Sequence, residues 1–346
     1  MIRSDIKALS AYQVPDSSGL IKLDAMENPF SMPDDLRQQW LKKLSEVEIN
    51  RYPDADMLSL RQKIAAHEGV EPEQVLLGNG SDEIIQMILM ACVPGTCVIP
   101  GPTFVMYNLV SQWLKRPVAT VPLAEDFTLR ADHFLQVCAR EKAEIAFLAC
   151  PNNPTGNLWR KDRVEKIAKG FEGLLVIDEA YGPFYERTHT NLIETNVVVL
   201  KTFSKVGWAG LRMGYLLGDA DVITQLNKVR MPYNINALTQ ASAAFLLDHF
   251  DVFAQQAAAI CSERTRLAAA LAEFEGFQVF PSQANFLLVR VHDANAIFDS
   301  LKQAGILIKN MHGSDRLLDN CLRFTIGSKA ENDAVLAALK DIAGRD

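Results

Sequence analysis

Short runs of β-branched and aliphatic residues alternate with helix-like stretches between about residues 75 and 217. The runs are VLL, TCVI, EIAFLA, LLVI and VVVL, and the stretches between them carry apolar residues at helical spacing. Runs without polar alternation are typical of strands that are buried on both faces, and the amphipathic stretches supply the helices that cover them. The pattern predicts an α/β fold with a mostly parallel central sheet in a large domain covered by helices.

The pattern changes after about residue 245. A long alanine-rich helical segment is followed by the strand ANFLLVRV, a helix, the strands ILIKN and CLRFTIG, and a last helix from Lys329. This order predicts a smaller α/β C-terminal domain. The first residues show no sustained period, which is typical of an arm. We therefore expect an N-terminal arm over residues 1–32, a large domain over 33–245 and a small C-terminal domain over 246–346.

The 346 residues carry a formal net charge of −7, with acidic and basic residues interspersed. The chain has no basic stripe for a nucleic-acid backbone, no apolar run of about 20 residues and no apolar signal core near Met1. We therefore expect a cytoplasmic protein that binds neither nucleic acid nor membrane. The six cysteines form no C-x-x-C pair and have no nearby histidine cluster, so we expect free thiols and no metal site.

Polar or glycine-rich segments follow five of the apolar runs. They are GNGSD at residues 78–82, PGPTF at 100–104, PNNPTG at 151–156, DEAY at 178–181 and TFSK at 202–205. Ligands of open α/β sheets bind at the carboxyl ends of the strands. The sequence therefore predicts a binding site built from these five segments.

The GNGSD segment lies where a strand should turn into a helix. Its backbone amides and the Ser81 hydroxyl suit an anion at a helix N-terminus, but a serine or aspartate in this position is equally often a simple cap. Two nucleotide-binding motifs are excluded. Glu83 stands where G-x-G-x-x-G needs its third glycine, and G-x-x-x-x-G-K-[ST] does not occur.

Two charged residues stand at the ends of strands that should be buried. An unpaired carboxylate at Asp178 would cost several kcal/mol, so it needs a cation, either in a structural ion pair or in a bound ligand. Lys205 has three possible roles: a solvated charge, a phosphate ligand or an amine nucleophile. The residues taken singly leave these alternatives open.

The ordered set PNNPTG, DEAY, TFSK and AGLRMGY resembles the fold-type-I aminotransferases that use pyridoxal phosphate. More narrowly, the chain is similar to the histidinol-phosphate aminotransferases. The similarity extends from Ala11-Tyr12-Gln13 and Glu27-Asn28-Pro29 through NRYP at residues 50–53 to CLRFTIG at residues 321–327. The resemblance implies that the large domain binds pyridoxal 5'-phosphate and that the active form is a homodimer with shared active sites.

The same resemblance implies roles for individual residues. Lys205 would bond to the cofactor and carry a proton, and Asp178 would pair with the ring nitrogen. Asn153 and Tyr181 would hydrogen-bond the phenolic oxygen, and Phe104 would stack on the ring. The catalytic residues so implied are Lys205, Asp178 and Tyr181. The residues implied around the cofactor phosphate are Gly80, Ser81, Asp82, Thr202, Ser204, Arg212 and, from the partner chain, Tyr52.

The narrower resemblance implies transamination between L-histidinol phosphate and 2-oxoglutarate in histidine biosynthesis, with imidazole-acetol phosphate and glutamate as the other pair. Arg323 and Asn153 would bind the substrate, Arg323 as a bidentate clamp on a carboxylate. The phosphate ester of histidinol phosphate needs further contacts, for which Arg323, Tyr12 and Lys309 are the candidates. Lys309 is equally well interpreted as a solvated lysine at a strand end.

Three other functions compete with this interpretation. A phospho-amino-acid decarboxylase of the threonine-phosphate type has a similar core and a stretch like MPYNINA at residues 231–237. An aromatic amino acid aminotransferase shares the cofactor site. A non-catalytic cofactor-binding protein is disfavoured, because every lysine, aspartate, asparagine, tyrosine and arginine position of the set is filled.

Overall fold

The computed structural model describes residues 1–11 and 13–344. Its strands are β1 (Ile21–Lys22), β2 (Val75–Gly78), β3 (Thr96–Gly101), β4 (Val118–Pro122), β5 (Ala143–Ala149), β6 (Leu174–Asp178), β7 (Val197–Thr202), β8 (Gly214–Leu217), β9 (Gln278–Val279), β10 (Phe286–Arg290), β11 (Ile306–Leu307), β12 (Lys309–Asn310) and β13 (Cys321–Thr325). Its α-helices are α1 (Ser4–Lys7), α2 (Asp34–Leu44), α3 (Leu58–Glu68), α4 (Ser81–Ala91), α5 (Val105–Trp113), α6 (Ala131–Arg140), α7 (Lys161–Gly170), α8 (Ala220–Asn227), α9 (Ala237–Leu247), α10 (Phe250–Ala272), α11 (Ala294–Gln303) and α12 (Lys329–Ala343).

The central sheet has the strand order β2-β8-β7-β6-β5-β3-β4 within the described residues. Strands β3 to β7 pair in parallel, whereas β8 is antiparallel to both β2 and β7. The prediction of a mostly parallel sheet in an α/β fold is confirmed. Because the parallel strands point the same way, the segments that follow β3, β5, β6 and β7 meet at one edge.

Helices cover both faces of this sheet, which explains the uninterrupted aliphatic runs. Along β7, Val198 and Leu200 pack with helices α4 and α5, while Val199 packs on the opposite face with α3 and α9. All three side chains are fully buried. Burial of a side chain of this size contributes about 1.5–3 kcal/mol, so the strand that carries Lys205 to the sheet edge is firmly anchored.

A second, antiparallel sheet has the order β12-β13-β10-β9 and packs with helices α10, α11 and α12. The predicted single strand ILIKN is divided in two. Strand β12 pairs with β13, whereas β11 pairs in parallel with β1 from the N-terminal segment. The prediction of one continuous strand was wrong, because β11 has a pairing partner almost 300 residues away that local sequence does not reveal.

The N-terminal segment and helix α10 both connect the two parts of the chain. Leu23 is buried in the C-terminal core, and its carbonyl accepts the Thr325 N–H at 3.1 Å. Helix α10 contributes Phe253 to a core of the central sheet and Ala257 to the C-terminal core. The boundaries 1–32, 33–245 and 246–346 remain a prediction.

The predictions about cysteines, metal sites and membrane spans can be compared with the structure. All six cysteines are free thiols, four of them buried and two partly buried. Across residues 1–11 and 13–344, no group of three or more His, Cys, Asp and Glu side chains is arranged to hold a metal ion. The helices of the same described residues are too short or too polar to cross a membrane.

Candidate active site

A cleft of about 380 Å³ opens at the edge where the parallel strands end. The predicted site residues that line it are Ser81, Asp82, Phe104, Asn153, Asp178, Tyr181, Thr202, Ser204, Lys205 and Arg212. Their segments lie up to about 130 positions apart in sequence, and the parallel strand order brings them together. The strand-end residues thus line one cleft, whereas its use as a binding site and the role of each residue stay predictions.

Lys205 follows β7 in a tight turn, Ser204–Trp208, that directs its side chain into the cleft. Its Nζ donates to the Ala25 carbonyl at 3.2 Å and lies 5.9 Å from the centre of the Tyr181 ring. Burial and, to a lesser extent, the nearby positive charge of Arg323 lower the pKa of Lys205 to about 8. A substantial fraction of this amine is therefore neutral near physiological pH, as a nucleophile or proton acceptor requires.

Asn28 holds the turn that carries Lys205. Its Nδ2 donates to the Val206 carbonyl at 2.8 Å and to Gln256 at 2.9 Å. Gly207 has φ +124, and a Cβ there would lie 3.0 Å from the Asn28 Nδ2. Asn28 stands in the Glu27-Asn28-Pro29 segment, which sequence analysis singled out only as part of a resemblance and without a role.

Asp178 is the last residue of β6 and is 4% exposed. Its Oδ1 accepts the Ala180 N–H at 2.9 Å and its Oδ2 accepts the Tyr107 hydroxyl at 2.7 Å. Burial raises the pKa of Asp178 to about 6. No lysine or arginine in the described part of the chain forms an ion pair with it, so its predicted cation is left to a ligand in the cleft.

Asn153, Tyr181 and Arg323 form a hydrogen-bonded series. The Asn153 Nδ2 donates to the Tyr181 hydroxyl oxygen at 3.0 Å, and the Asn153 Oδ1 accepts from the Arg323 Nη1 at 2.6 Å. The Arg323 Nη2 donates to the Asp24 carbonyl at 2.9 Å, and the guanidinium lies 5.4 Å from the centre of the Phe286 ring. The guanidinium of Arg323 is thus fixed in place, as a carboxylate clamp requires.

The start of helix α4 and Arg212 form a cradle suited to an anion. Gly80 precedes the helix with φ +83, and a Cβ there would lie only 2.7 Å from the Arg212 Nη2. The Arg212 Nη1 lies 3.5 Å from the Ser204 hydroxyl, which in turn lies 2.9 Å from the Thr202 hydroxyl. Backbone amides at a helix N-terminus, two hydroxyls and a guanidinium fork together match the oxygens of a phosphate.

Asp82 and Phe104 complete the cleft wall. Asp82 lies in the first turn of α4, and its Oδ2 is 3.9 Å from the Arg212 Nη2. Burial raises the pKa of the Asp82 carboxyl. Phe104 immediately precedes α5 and contacts the Tyr107 ring edge-on, with centroids 5.5 Å apart. Tyr107 was missed by sequence analysis, because in the sequence it stands at an ordinary apolar helix position.

Gly80 and Arg323, described above, do not line the cleft directly, and neither do Lys309 and Tyr52. Lys309 pairs with Arg323 across β12 and β13, so their side chains leave the same face of the strand pair. Tyr52 is 81% exposed and stacks on Tyr233, with ring centroids 4.5 Å apart. Tyr12 lies outside the described residues.

Comparisons with known proteins agree with this geometry. The family model "Aminotransferase class I and II" matches residues 18–339. The chain is 49% identical to histidinol-phosphate aminotransferase 1 of Burkholderia lata, over 98% of this chain and 97% of the relative. It is 46% identical to histidinol-phosphate aminotransferase 2 of Nitrosococcus oceani, over 99% and 97% respectively.

A solved structure gives the same result for the fold. The histidinol-phosphate aminotransferase of Sinorhizobium meliloti, crystallised in complex with pyridoxal-5'-phosphate, superposes with a TM-score of 0.89 at 26% identity. The match covers 99% of this chain and 98% of that chain. The chain is therefore a fold-type-I aminotransferase that belongs to the class I and II aminotransferase family and, within it, to the family of its histidinol-phosphate aminotransferase relatives.

Proposed function

We propose that this aminotransferase uses pyridoxal 5'-phosphate to move an amino group between L-histidinol phosphate and 2-oxoglutarate. Imidazole-acetol phosphate and glutamate are the other pair, and the reaction belongs to histidine biosynthesis. The names of the relatives support this substrate. The protein acts as a cytoplasmic homodimer.

The observation that carries the proposal is that Lys205 and Asp178 line the same cleft. An amine with a pKa of about 8 and a buried carboxylate that forms no ion pair with a lysine or arginine of residues 1–11 and 13–344 line the same cleft. A pyridine ring whose aldehyde carbon would condense with the amine, with loss of water, and whose protonated nitrogen would face the carboxylate would satisfy both groups. The cradle of Gly80, Ser81 and Arg212 fits the phosphate of the same molecule.

When bound, pyridoxal phosphate supplies an electron-withdrawing ring that stabilises negative charge at the substrate Cα. Lys205 would carry the proton between the substrate Cα and the cofactor carbon, acting as general base when it accepts the proton and as general acid when it delivers it. Asp178 keeps the ring nitrogen protonated. Asn153 and Tyr181 donate hydrogen bonds to the phenolic oxygen of the ring, and Phe104 covers one ring face.

The remaining residues bind the phosphate and the substrates. Asp82, Thr202 and Ser204 complete the phosphate cradle, and Tyr52 of each subunit reaches the cofactor phosphate of the other. Its exposure to solvent in a single chain supports that assignment. Arg323 holds the carboxylate of glutamate or 2-oxoglutarate, and Lys309 and Tyr12 contact the phosphate ester of histidinol phosphate.

The purified protein carrying its cofactor tests the substrate directly. Addition of L-histidinol phosphate should replace the visible absorbance band of the bound cofactor by that of its aminated form, and 2-oxoglutarate should restore it. L-histidinol, which lacks the phosphate ester, is the matched control and should react much more weakly, because its amino group is unchanged but its phosphate contacts are lost.

The outcome separates the proposed reaction from its rivals. Release of carbon dioxide from a phospho-amino acid would replace the proposal by a decarboxylase. Faster restoration of the band by phenylpyruvate than by 2-oxoglutarate, with no response to histidinol phosphate, would replace it by an aromatic amino acid aminotransferase.

Gly80→Ala should lower the affinity for pyridoxal phosphate about tenfold, which corresponds to the loss of one charge-assisted hydrogen bond. The added Cβ would displace the Arg212 guanidinium, which lies 2.7 Å from its position. The affinity is measured by absorbance titration of the cofactor-free protein.

Gly305→Ala is the matched control for this variant. Gly305 also has φ +83, but a Cβ there meets nothing within 4 Å. Both substitutions place an alanine at a positive φ and so strain the backbone, but only Gly80→Ala should weaken cofactor binding. An equal loss of affinity in both variants would assign the effect to strain and remove Arg212 from the explanation.

A further inference from the structure

Tyr107 is a buried tyrosine of the cleft wall to which the proposed function assigns no role. It is 0% exposed and lies on α5, and its hydroxyl donates to the Asp178 Oδ2 at 2.7 Å. We propose that Tyr107 is a positioning residue, which holds the Asp178 carboxylate ionised and oriented toward the ring nitrogen of the cofactor. This inference rests on the proposed function, because the cofactor supplies the ring nitrogen.

The Tyr107 ring is held on two sides. It stacks on Phe147 of the neighbouring strand β5, with centroids 4.6 Å apart and planes 14° apart, and Phe104 meets it edge-on. The Ser111 hydroxyl donates to the Tyr107 carbonyl at 2.7 Å within the same helix. The position of the hydroxyl is therefore set by packing and does not depend on a bound ligand.

The two oxygens of Asp178 have different protein partners. Oδ1 accepts the Ala180 N–H and Oδ2 accepts the Tyr107 hydroxyl, so both ends of the carboxylate are fixed. Each carboxylate oxygen can accept about two hydrogen bonds. The carboxylate therefore keeps acceptor capacity for the ring N–H while its plane is already determined by Ala180 and Tyr107.

The charges around Asp178 explain why this donor matters. Burial raises the pKa of Asp178, and the hydrogen bond from Tyr107 opposes that rise. Burial and the Asp178 charge raise the pKa of Tyr107 well above its usual value, so the phenol stays a proton donor. Two other carboxylates, Asp82 and Glu179, have charges that raise the pKa of Asp178. The remaining titratable side chains that line the cleft are Glu27, Tyr181, Lys205 and Arg212.

Loss of the Tyr107 hydroxyl should therefore have two effects. Asp178 would bind its proton more tightly, and its carboxylate would lose one of the two bonds that orient it. A protonated Asp178 must release its proton before it can pair with the protonated ring nitrogen, so cofactor affinity falls as the pH drops through the pKa of Asp178.

The test is the pH dependence of pyridoxal phosphate binding to the cofactor-free full-length chain, measured by absorbance titration between pH 5 and 8. The wild-type dissociation constant should rise as the pH falls through an inflection near pH 6. In Tyr107→Phe, which preserves the ring stacking, the affinity at pH 7 should fall about tenfold and the inflection should move up by about one pH unit.

Tyr215→Phe is the matched control. Tyr215 is also a buried tyrosine that donates to a carboxylate, that of Glu68, but it does not line the cleft. Loss of the Tyr215 hydroxyl should lower the free energy of unfolding. It should leave the inflection in the pH dependence of the dissociation constant where it is in the wild type. The double variant Asp178→Asn, Tyr107→Phe should bind no more weakly than Asp178→Asn alone, because Tyr107 acts through Asp178.

Each outcome decides between specific statements. If the wild-type chain does not bind pyridoxal phosphate, the proposed function fails. If the wild type binds it but Tyr107→Phe keeps the wild-type inflection, only the role of Tyr107 is overturned. If Tyr107→Phe and Tyr215→Phe move the inflection equally, the effect comes from buried hydroxyls in general and the role of Tyr107 is again overturned.

Discussion

Lys205→Ala should lower the transamination rate by about 10⁴-fold or more while the chain stays folded. The amine is the group that the cleft presents with a pKa of about 8, and no other lysine of the described residues lines that cleft. The Nζ makes a hydrogen bond to the Ala25 carbonyl at 3.2 Å, so its loss removes little packing. The measurements are kcat/KM and the mass of the protein after borohydride reduction, which fixes the cofactor to its lysine.

Lys201→Met provides the control for this variant. Lys201 stands four residues earlier on β7, forms ion pairs with Glu68 at 2.6 Å and Glu179 at 3.5 Å, and lies outside the active-site cleft. Its loss should cost about 3 kcal/mol of stability, because two largely buried carboxylates lose their cation. Reduction should still attach the cofactor to the peptide that contains Lys205. Cofactor attachment that survives in Lys205→Ala and disappears in Lys201→Met would reverse the assignment.

Asp178→Asn should weaken pyridoxal phosphate binding about 10²-fold and slow proton abstraction. The substitution keeps the size of the side chain but removes the negative charge that, under the proposed function, pairs with the ring nitrogen. Breaking a buried ion pair costs about 3 kcal/mol or more. The dissociation constant of the cofactor and the single-turnover rate with the amino donor measure the two effects.

The affinity for pyridoxal phosphate should depend on pH through the ionisation of Asp178. Burial raises the pKa of this carboxyl from its usual 3.8 to about 6 in the cofactor-free chain, so it is ionised above pH 6 and neutral below it. Cofactor binding should therefore weaken as the pH falls through about 6 in the wild type. In Asp178→Asn this step should vanish, since the titrating group is gone.

Glu179→Gln is the control for Asp178→Asn. It removes a buried negative charge that does not face the cofactor, so it separates the proposed interaction of Asp178 with the ring nitrogen from the general effect of losing a buried charge. Glu179 is 1% exposed and follows Asp178 directly, but its carboxylate faces the other side, where it accepts from the Thr188 hydroxyl and the His189 N–H at 2.7 Å each. This variant should lose stability and keep its cofactor affinity. A loss of affinity equal to that of Asp178→Asn would show that Asp178 has no special interaction with the ring.

Much of the fold could be predicted from local sequence. Strands β6 and β7 coincide with the runs LLVI and VVVL to within a residue or two. Such elements are predictable because burial on one or two faces leaves a periodic trace in the chain. The division of ILIKN into β11 and β12 could not be predicted, because β11 is defined by its pairing with Ile21–Lys22.

The site shows the same limit. Lys205 and Asp178 could be singled out because charged residues at the ends of buried apolar runs are conspicuous. Arg212 could be singled out only through the resemblance to a known family. Tyr107 and Asn28 could not be assigned roles. Tyr107 looks like any apolar helix residue until α5 packs beside β6, and Asn28 gains its function only when an arm segment reaches Val206, 178 positions away.

The sequence by itself determined the alternation of strands and helices, the sheet edge at which the site forms, and the residue types that serve its chemistry. Only the tertiary structure decided which groups meet in the cleft and how strongly each is charged. The pKa of Lys205 near 8 and that of Asp178 near 6 arise from burial and from neighbours distant in sequence, such as Arg323 and Tyr107. Desolvation and charge interactions depend on distances in space, which local sequence does not encode.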